Sequence, residues 1–297
     1  MGSALTTIGL PLALGIIMLG LGLTLTPADF ARVVKHPKAV VIALVCQLIV
    51  LPALCFALVL AFKLPPILAI GMMLLAASPG GTTANLYSHL FRGDVALNIS
   101  LTAVNSVLAV VTLPVITNLA IGYFAPDQPG LGLQVAKTLE VFAIVLGPVA
   151  IGMIVRRVKP AFADAMDKPV RIASVVILAV VIAGAVAANF ELLRAHISSL
   201  ATITVLFCIV SLLVGYFVPK LFGVKDAQAR ACSFEIGIHN ATLAIVLAQT
   251  VIGNMEMSLP AAVYGVLMFF IALGFGFLLP RRNREDSVPQ ATGATPV

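Results

Sequence analysis

Apolar stretches long enough to cross a membrane recur along the whole chain. A helix needs about 20 residues to cross a hydrocarbon layer roughly 30 Å thick. Stretches near this length occur at about 5–25, 39–61, 66–90, 95–121, 138–155, 172–189, 198–219, 227–251 and 258–279. With 61% hydrophobic and 10% charged residues, the chain has too much apolar surface for a soluble globule of 297 residues. The sequence therefore predicts an all-α polytopic membrane protein with about nine transmembrane helices.

The distribution of basic residues predicts the orientation in the membrane. Alternate connections between the nine spans, together with residues 281–297, hold 15 of the 18 lysines and arginines. Cytoplasmic loops carry such an excess. We therefore expect a protein of the cell (inner) membrane, embedded in the lipid bilayer, with its N-terminus outside and residues 281–297 as a polar cytoplasmic tail. The basic residues on the cytoplasmic side account for the net charge of +6. The sequence shows no separate basic domain of the kind that binds nucleic acid.

The sequence shows no recognisable catalytic set. It contains no H-E-x-x-H, P-loop or G-x-S-x-G motif. All four cysteines lie in apolar spans without C-x-x-C spacing, which is typical of small core residues. We expect neither an enzyme nor a disulfide.

Two of the predicted spans are interrupted near their middle. The third contains "SPGGTTAN" at residues 78–85, and the eighth contains "SFEIGIHNATLA" at residues 233–244. Charged and amide side chains at such depth are costly in lipid. A pair of broken hydrophobic segments in corresponding positions is typical of the midplane site of an inverted-repeat transporter. The pattern therefore predicts two discontinuous helices.

The breaks and one carboxylate indicate what the site binds. A broken helix exposes carbonyl and N–H groups that lipid cannot satisfy but an ion and an anionic substrate can. Among the 12 acidic residues, Glu235 alone lies deep in a span, and Arg230 near the membrane edge is a poor partner for it. A buried carboxylate must be protonated, paired or bound to a cation. Nearby oxygen donors favour a hard cation such as Na⁺, whereas a simple kink with back-bonded Ser and Thr is the alternative.

The broken segments resemble the bile acid:sodium symporter family. "GGTTAN", "RGDVALNISLT" and "EIGIHNATLA" are similar to its paired crossover motifs, and "GLGLTLTPADFARVVKHPKAV" and "VCQLIVLP" to its early helices. The resemblance covers nearly the whole chain. It implies sodium-coupled symport of an organic anion, bile-acid-like or another small carboxylate, by alternating access. Bacterial members usually have ten helices in two inverted repeats, and this sequence is expected to lack the first helix.

The resemblance also implies a division of the transmembrane unit, residues 1–280, into two parts. A panel would comprise about 5–25, 138–155 and 172–189. A core would comprise about 39–121 and 198–279 and would contain both broken helices, crossed over each other.

The sodium ligands implied by the resemblance form two sets. One uses Asn85, Thr102 and Glu235, with Asn98 at a position held by serine in bacterial relatives; Ala84 replaces a second serine. The other set comprises Gln47, Glu235, the carbonyls of Ile236 and Ile238, and His239. Relatives commonly have glutamine at the position of His239, and imidazole is a poor Na⁺ ligand but a good proton acceptor. One or two sodium sites are therefore expected.

The substrate contacts implied by the resemblance are Thr82, Thr83 and Asn240, beside helix N-termini that favour a carboxylate or sulfonate. Met268 and Phe269 replace a His-Asn pair of many relatives, which favours a more hydrophobic anion. Two other functions are open. The first is a proton-coupled or uncoupled carrier or exporter of similar fold, favoured by His239. The second is a receptor or structural bundle without transport, which would leave both breaks and Glu235 unexplained.

Overall fold

The computed structural model describes residues 9–127 and 135–280. The side chains of Thr82, Ile144, Asp167, Arg171 and residues 135–142 are not among those described. The start of the first predicted span and the predicted tail at 281–297 therefore lie outside the described residues. Within these ranges the secondary structure is helical, and the one β-type feature is an isolated bridge.

The helices of the first half are given in chain order. They are α1 (Leu10–Thr24), α2 (Pro27–Arg32), α3 (Pro37–Ala61), α4 (Pro66–Ala77), α5 (Thr82–Leu90) and α6 (Val95–Phe124). The helices of the second half are α7 (Val135–Val158), α8 (Pro160–Ala188), α9 (Phe190–Leu221), α10 (Asp226–Gly237), α11 (Ala241–Ile252) and α12 (Leu259–Leu278).

The lengths of these helices confirm the all-α membrane class. In the described ranges, α3, α6, α8, α9 and the segment Glu256–Leu278 are each long and apolar enough to cross a membrane. A sixth span results if α1 is joined to Pro27–Lys35, to which it is bent by 68°. The third and eighth predicted spans are each divided into two short helices. The count of nine crossings and the inverted repeat stay predictions.

Local sequence signals explain where several helices begin. Proline stands in the first turn of α2, α3, α4, α8 and α12, where its missing N–H costs nothing. The Asp94 carboxylate caps α6 by accepting a hydrogen bond of 3.0 Å from the Leu97 N–H. The first break follows from the same rules, because Pro79 cannot donate to the preceding helix turn.

Two groups of helices surround the broken segments. Helix α1 packs on α7 and α8, and the approach is close because Gly22 faces the backbone of Val149 and Gly152 faces α1. Helix α9 packs on α10 and α12, with Gly215 against Ser233. Small residues allow such close contact between membrane helices. The broken segments contact both groups, since α11 packs on α12, α8 and α1.

Candidate ion-binding site

The two helix breaks meet and pair with each other. The Gly81 N–H donates to the Ile238 carbonyl at 3.0 Å, and the Asn240 N–H donates to the Pro79 carbonyl at 2.9 Å. These bonds form an isolated antiparallel bridge between Gly80 and His239. Part of the exposed backbone predicted at each break is therefore satisfied by the other break, which is how irregular backbone is tolerated at membrane depth.

Glu235 lies beside this bridge and is fully buried. The Thr102 hydroxyl donates to Oε2 at 2.5 Å, and the Asn105 amide nitrogen donates to Oε1 at 3.1 Å. Arg230 is engaged elsewhere, with Asp226 at 2.6 Å and the Phe91 carbonyl at 3.1 Å. Within the described residues, none of the ion pairs involves Glu235. The prediction that Arg230 is not its partner agrees with this geometry.

Several amide side chains around the breaks have a bonded nitrogen and a free oxygen. Gln47 donates through Nε2 to the Ser78 carbonyl at 3.0 Å, and Asn98 donates through Nδ2 to the Ala231 carbonyl at 2.8 Å. The buried amide oxygens without a donor in the described structure belong to Gln47, Asn85, Asn98 and Asn105. Buried polar atoms are normally satisfied. Carbonyl-type oxygens near a carboxylate suit a hard cation such as Na⁺.

The predicted ion ligands come from four helices and one connection. Asn98 and Thr102 lie one turn apart on α6, and Glu235 and Ile236 lie on α10. Gln47 lies in a π-helical turn of α3, Cys46–Val50, a distortion often found at functional sites. Hydrogen bonds join Thr102 to Glu235 and Asn98 to α10. The Ile238 carbonyl already accepts the Gly81 N–H, which leaves one lone pair for a ligand.

His239 occupies an enclosed aromatic environment. Its ring stacks on Tyr264 at 5.4 Å and 23°, and lies 5.4 Å from Phe207. The side chain is fully buried, and neither ring nitrogen has a hydrogen-bond partner in the described structure. The Tyr264 hydroxyl donates instead to the Gly237 carbonyl at 2.8 Å. Two unpartnered nitrogens leave His239 available for an ion, a proton or a water-mediated contact.

Asn105 and Gly80 are site residues that the sequence analysis missed. Asn105 follows Thr102 by three positions and Asn98 by seven, so all three lie on one face of α6. This spacing is a signal that could have identified it. A Cβ atom at Gly80 would overlap the carboxylate of Glu235, which would have to shift. That contact depends on packing between distant segments and has no local sequence signal.

A cavity of about 490 Å³ is lined by one of the predicted ion ligands, Asn85. It lies between α1 and α8 on one side and α5 and α6 on the other. Its polar lining residues are Thr24, Thr83, Asn85, His89 and Ser174. A smaller cavity shares Thr83 and Ser174 with it and reaches the two breaks.

The smaller cavity contains several predicted substrate contacts. Thr83, Asn240, Met268 and Phe269 all line it, beside Gly80 and Gly81. Met268 and Phe269 therefore line the same cavity as the first break. Thr82 begins α5 next to them, but its side chain lies outside those that the structure describes.

Several known proteins similar to this chain are named as sodium-dependent transporters or cotransporters. The family profile described as "Sodium Bile acid symporter family" matches residues 11–196. The chain is 29% identical over 282 residues to "Probable sodium/metabolite cotransporter BASS2, chloroplastic" of Oryza sativa subsp. japonica, covering 92% of this chain and 65% of that protein. It is 32% identical over 259 residues to "Probable sodium/metabolite cotransporter BASS1, chloroplastic" of Arabidopsis thaliana, covering 85% and 62%.

A bacterial relative has a similar name. The chain is 29% identical over 256 residues to "Uncharacterized sodium-dependent transporter YocS" of Bacillus subtilis (strain 168), covering 85% of this chain and 77% of that protein. The chain thus spans less than two thirds of the length of both plant relatives and about three quarters of the bacterial one.

Proposed function

Because the chain belongs to the sodium bile acid symporter family, we propose that it is a secondary active transporter that couples Na⁺ to the symport of an organic anion. Members of this family are membrane transporters rather than enzymes. The observation that carries the proposal is the fully buried Glu235, which has no basic partner among the described residues and lies among unpartnered amide oxygens where two broken helices meet.

In this proposal Na⁺ binds beside Glu235. Asn85, Asn98 and Thr102 supply oxygen ligands of the first site, since each lies on a helix segment that adjoins the carboxylate or the first break. Gln47, the carbonyls of Ile236 and Ile238, and His239 would form a second site. The ion replaces the missing positive charge and accepts the free lone pairs of the amide oxygens. Sodium thereby stabilises the crossed arrangement of the two breaks.

The substrate of this proposal is an organic anion bound across the two cavities, which share Thr83 and Ser174. Thr82, Thr83 and Asn240 lie where α5 and α11 begin, and a helix N-terminus attracts an anionic group. Apolar residues such as Met268 and Phe269 near the breaks suit an apolar body. A carboxylate attached to a hydrophobic scaffold fits both features.

Alternating access requires two bodies that move relative to each other. We assign α1, α7 and α8 to the panel and the helices that surround the breaks to the core. The packing of α1 on α7 and α8 supports this grouping, and the cavity runs between α1 and α8 and the core helices α5 and α6. Thr24 and His89 lie at helix ends that the charge bias places on the cytoplasmic side, so the cavity would face the cytoplasm.

His239 favours one competing mechanism, in which protons rather than Na⁺ drive the carrier. Its two unpartnered ring nitrogens adjoin the crossing of the breaks, and imidazole is a common proton carrier in proteins. Glu235 would also serve such a mechanism. The two mechanisms differ in the cation that they require.

Uptake into proteoliposomes tests the proposal. The full chain would be reconstituted and offered a panel of labelled organic acids under an inward Na⁺ gradient, an inward K⁺ gradient or a pH gradient. We expect concentrative uptake of at least one organic anion with the Na⁺ gradient alone. Uptake driven by the pH gradient and indifferent to Na⁺ would instead establish the proton-coupled mechanism.

A further inference from the structure

Asn105 contacts the carboxylate of Glu235 from the middle of α6. Its side chain is 1% exposed, and its Nδ2 donates to Oε1 of Glu235 at 3.1 Å. Its own oxygen, Oδ1, is buried and has no donor in the described structure. Asn105 is thus half satisfied, with its nitrogen fixed on the carboxylate and its oxygen unused.

The orientation of this amide follows from electrostatics. An ionised carboxylate accepts hydrogen bonds but cannot donate, so the amide must present its nitrogen to Glu235. The oxygen of Asn105 is therefore directed away from the Oε1 contact. An unsatisfied acceptor at such a depth is destabilising unless another group binds it. A bound cation supplies what this oxygen lacks.

Asn105 and Thr102 together fix the position of the carboxylate. Thr102 bonds one oxygen of Glu235, and Asn105 bonds the other. Both donors come from α6, so the carboxylate is held between α6 and the first break, where Gly80 leaves room for it. Asn98 contributes a second unused amide oxygen from the same face of α6.

We propose that Asn105 belongs to the cation site, where its amide nitrogen positions Glu235 and its Oδ1 is a ligand of the ion. The inference rests on the proposed sodium coupling and extends the α6 contribution from Asn98 and Thr102 to a third side chain. A purely structural role for Asn105 makes a different prediction, because it would change stability equally in Na⁺ and in K⁺.

Two substitutions separate these roles. Asn105→Leu keeps the size of the side chain but removes both the donor and the oxygen. Asn105→Asp keeps the oxygen and adds a charge next to Glu235. Thr117→Val is the matched control, since Thr117 is also buried on α6 with an unpartnered hydroxyl but makes no contact with Glu235 among the hydrogen bonds of the described residues.

The thermal unfolding of each purified full-length variant would be followed during titration with NaCl or KCl at about pH 8, where an ordinary carboxylic acid is ionised. We expect the midpoint of the Na⁺ effect to rise at least tenfold in Asn105→Leu and to be unchanged in Thr117→Val. Asn105→Asp should show a larger Na⁺-specific rise in Tm than the unmodified chain, because two adjacent carboxylates repel until a cation binds.

The outcomes distinguish this inference from the proposed function. An unmodified chain that responds alike to Na⁺ and K⁺ would overturn both. A normal Na⁺ response that Asn105→Leu retains would overturn the role of Asn105 alone. If Asn105→Leu does not fold, Asn105→Asp decides: a Na⁺ response weaker than that of the unmodified chain would refute Oδ1 as a ligand.

Discussion

Both oxygens of the Glu235 carboxylate accept hydrogen bonds, but the donors are neutral and do not balance its negative charge. Thr102 and Asn105 each donate one hydrogen bond to it, yet neither carries a charge. Removing an ionised carboxylate from water costs several kcal/mol unless an opposite charge compensates. Arg230 is occupied by Asp226 and backbone carbonyls. None of the ion pairs among the described residues involves Glu235, so we expect a mobile cation to balance its charge.

Replacing Glu235 by glutamine tests this interpretation. Glu235→Gln keeps the shape of the side chain and removes the charge that a cation would neutralise. We expect Na⁺-driven uptake to fall at least tenfold while the variant stays folded, because a buried charge has been removed rather than added. Uptake assays in proteoliposomes, with circular dichroism as the folding control, measure both. Full Na⁺-driven uptake in this variant would exclude Glu235 as a sodium ligand.

His239 determines the expected number of sodium ions. The resemblance places His239 where relatives commonly have glutamine, and its ring stacks on Tyr264, so the second predicted site would lack one amide oxygen. We expect uptake to depend on Na⁺ with a Hill slope near 1, and His239→Gln to raise that slope toward 2. His196→Gln, on α9, is the control. A slope near 2 in the unmodified chain would show that His239 does not limit the stoichiometry.

The sequence predicted these two residues but not Asn105. Glu235 and His239 stand out because ionisable groups are rare inside apolar spans. Asn105 is an ordinary amide in an apolar helix, and its role depends on which face of α6 meets α10. That packing depends on contacts between residues far apart in the chain.

Among the helices, each break supplies backbone hydrogen-bond partners for the other break. Pro79 and the glycines beside it predict an interruption of the third span, and the structure confirms that α4 ends at Ala77 and α5 begins at Thr82. The sequence did not predict the bridge between Gly80 and His239. Local composition shows where backbone pairing is lost, but the new partner is set by the tertiary fold.

We expect the two glycines of the first break to differ in how well they tolerate substitution by alanine. A methyl group at Gly80 would overlap the Glu235 carboxylate, whereas one at Gly81 would lie 3.5 Å from the Thr83 hydroxyl oxygen, an ordinary contact. Gly81 also has an extended backbone that alanine adopts readily. We expect Gly80→Ala to abolish Na⁺-dependent uptake and Gly81→Ala to retain most of it. Equal effects in the same uptake assay would contradict the close packing of Gly80 on Glu235.

In the molecule as a whole, the larger cavity is lined by Asn85, a predicted ion ligand, and by Thr24 and His89 near the ends of α1 and α5. It passes between α1 and α8 and the helices α5 and α6. The apolar stretches predicted a membrane protein, and the family resemblance predicted ion ligands and substrate contacts around the two breaks. The cavity was not predictable from the sequence, because its shape depends on how helices from both halves of the chain pack together.

Ser174, on α8, offers a probe of movement in this cavity. The four native cysteines are buried, so the unmodified chain should react little and serves as the control. We expect a cysteine introduced by Ser174→Cys to react with a membrane-impermeant thiol reagent applied from the cytoplasmic side. Alternating access predicts that Na⁺ together with a transported anion slows this reaction severalfold, relative to K⁺. A rate indifferent to both would argue against closure of the cavity during transport.

Equilibrium binding of radiolabelled Na⁺ to the purified chain measures whether Glu235 belongs to a sodium site. We expect saturable binding of about one Na⁺ per chain that K⁺ does not displace, and loss of that binding in Glu235→Gln but not in Thr117→Val. A site of millimolar affinity would stabilise the folded chain by roughly 2.7 kcal/mol at 100 times its Kd, which gives an independent check on occupancy. Absence of saturable Na⁺ binding, or unchanged binding in Glu235→Gln, would contradict a sodium site at Glu235.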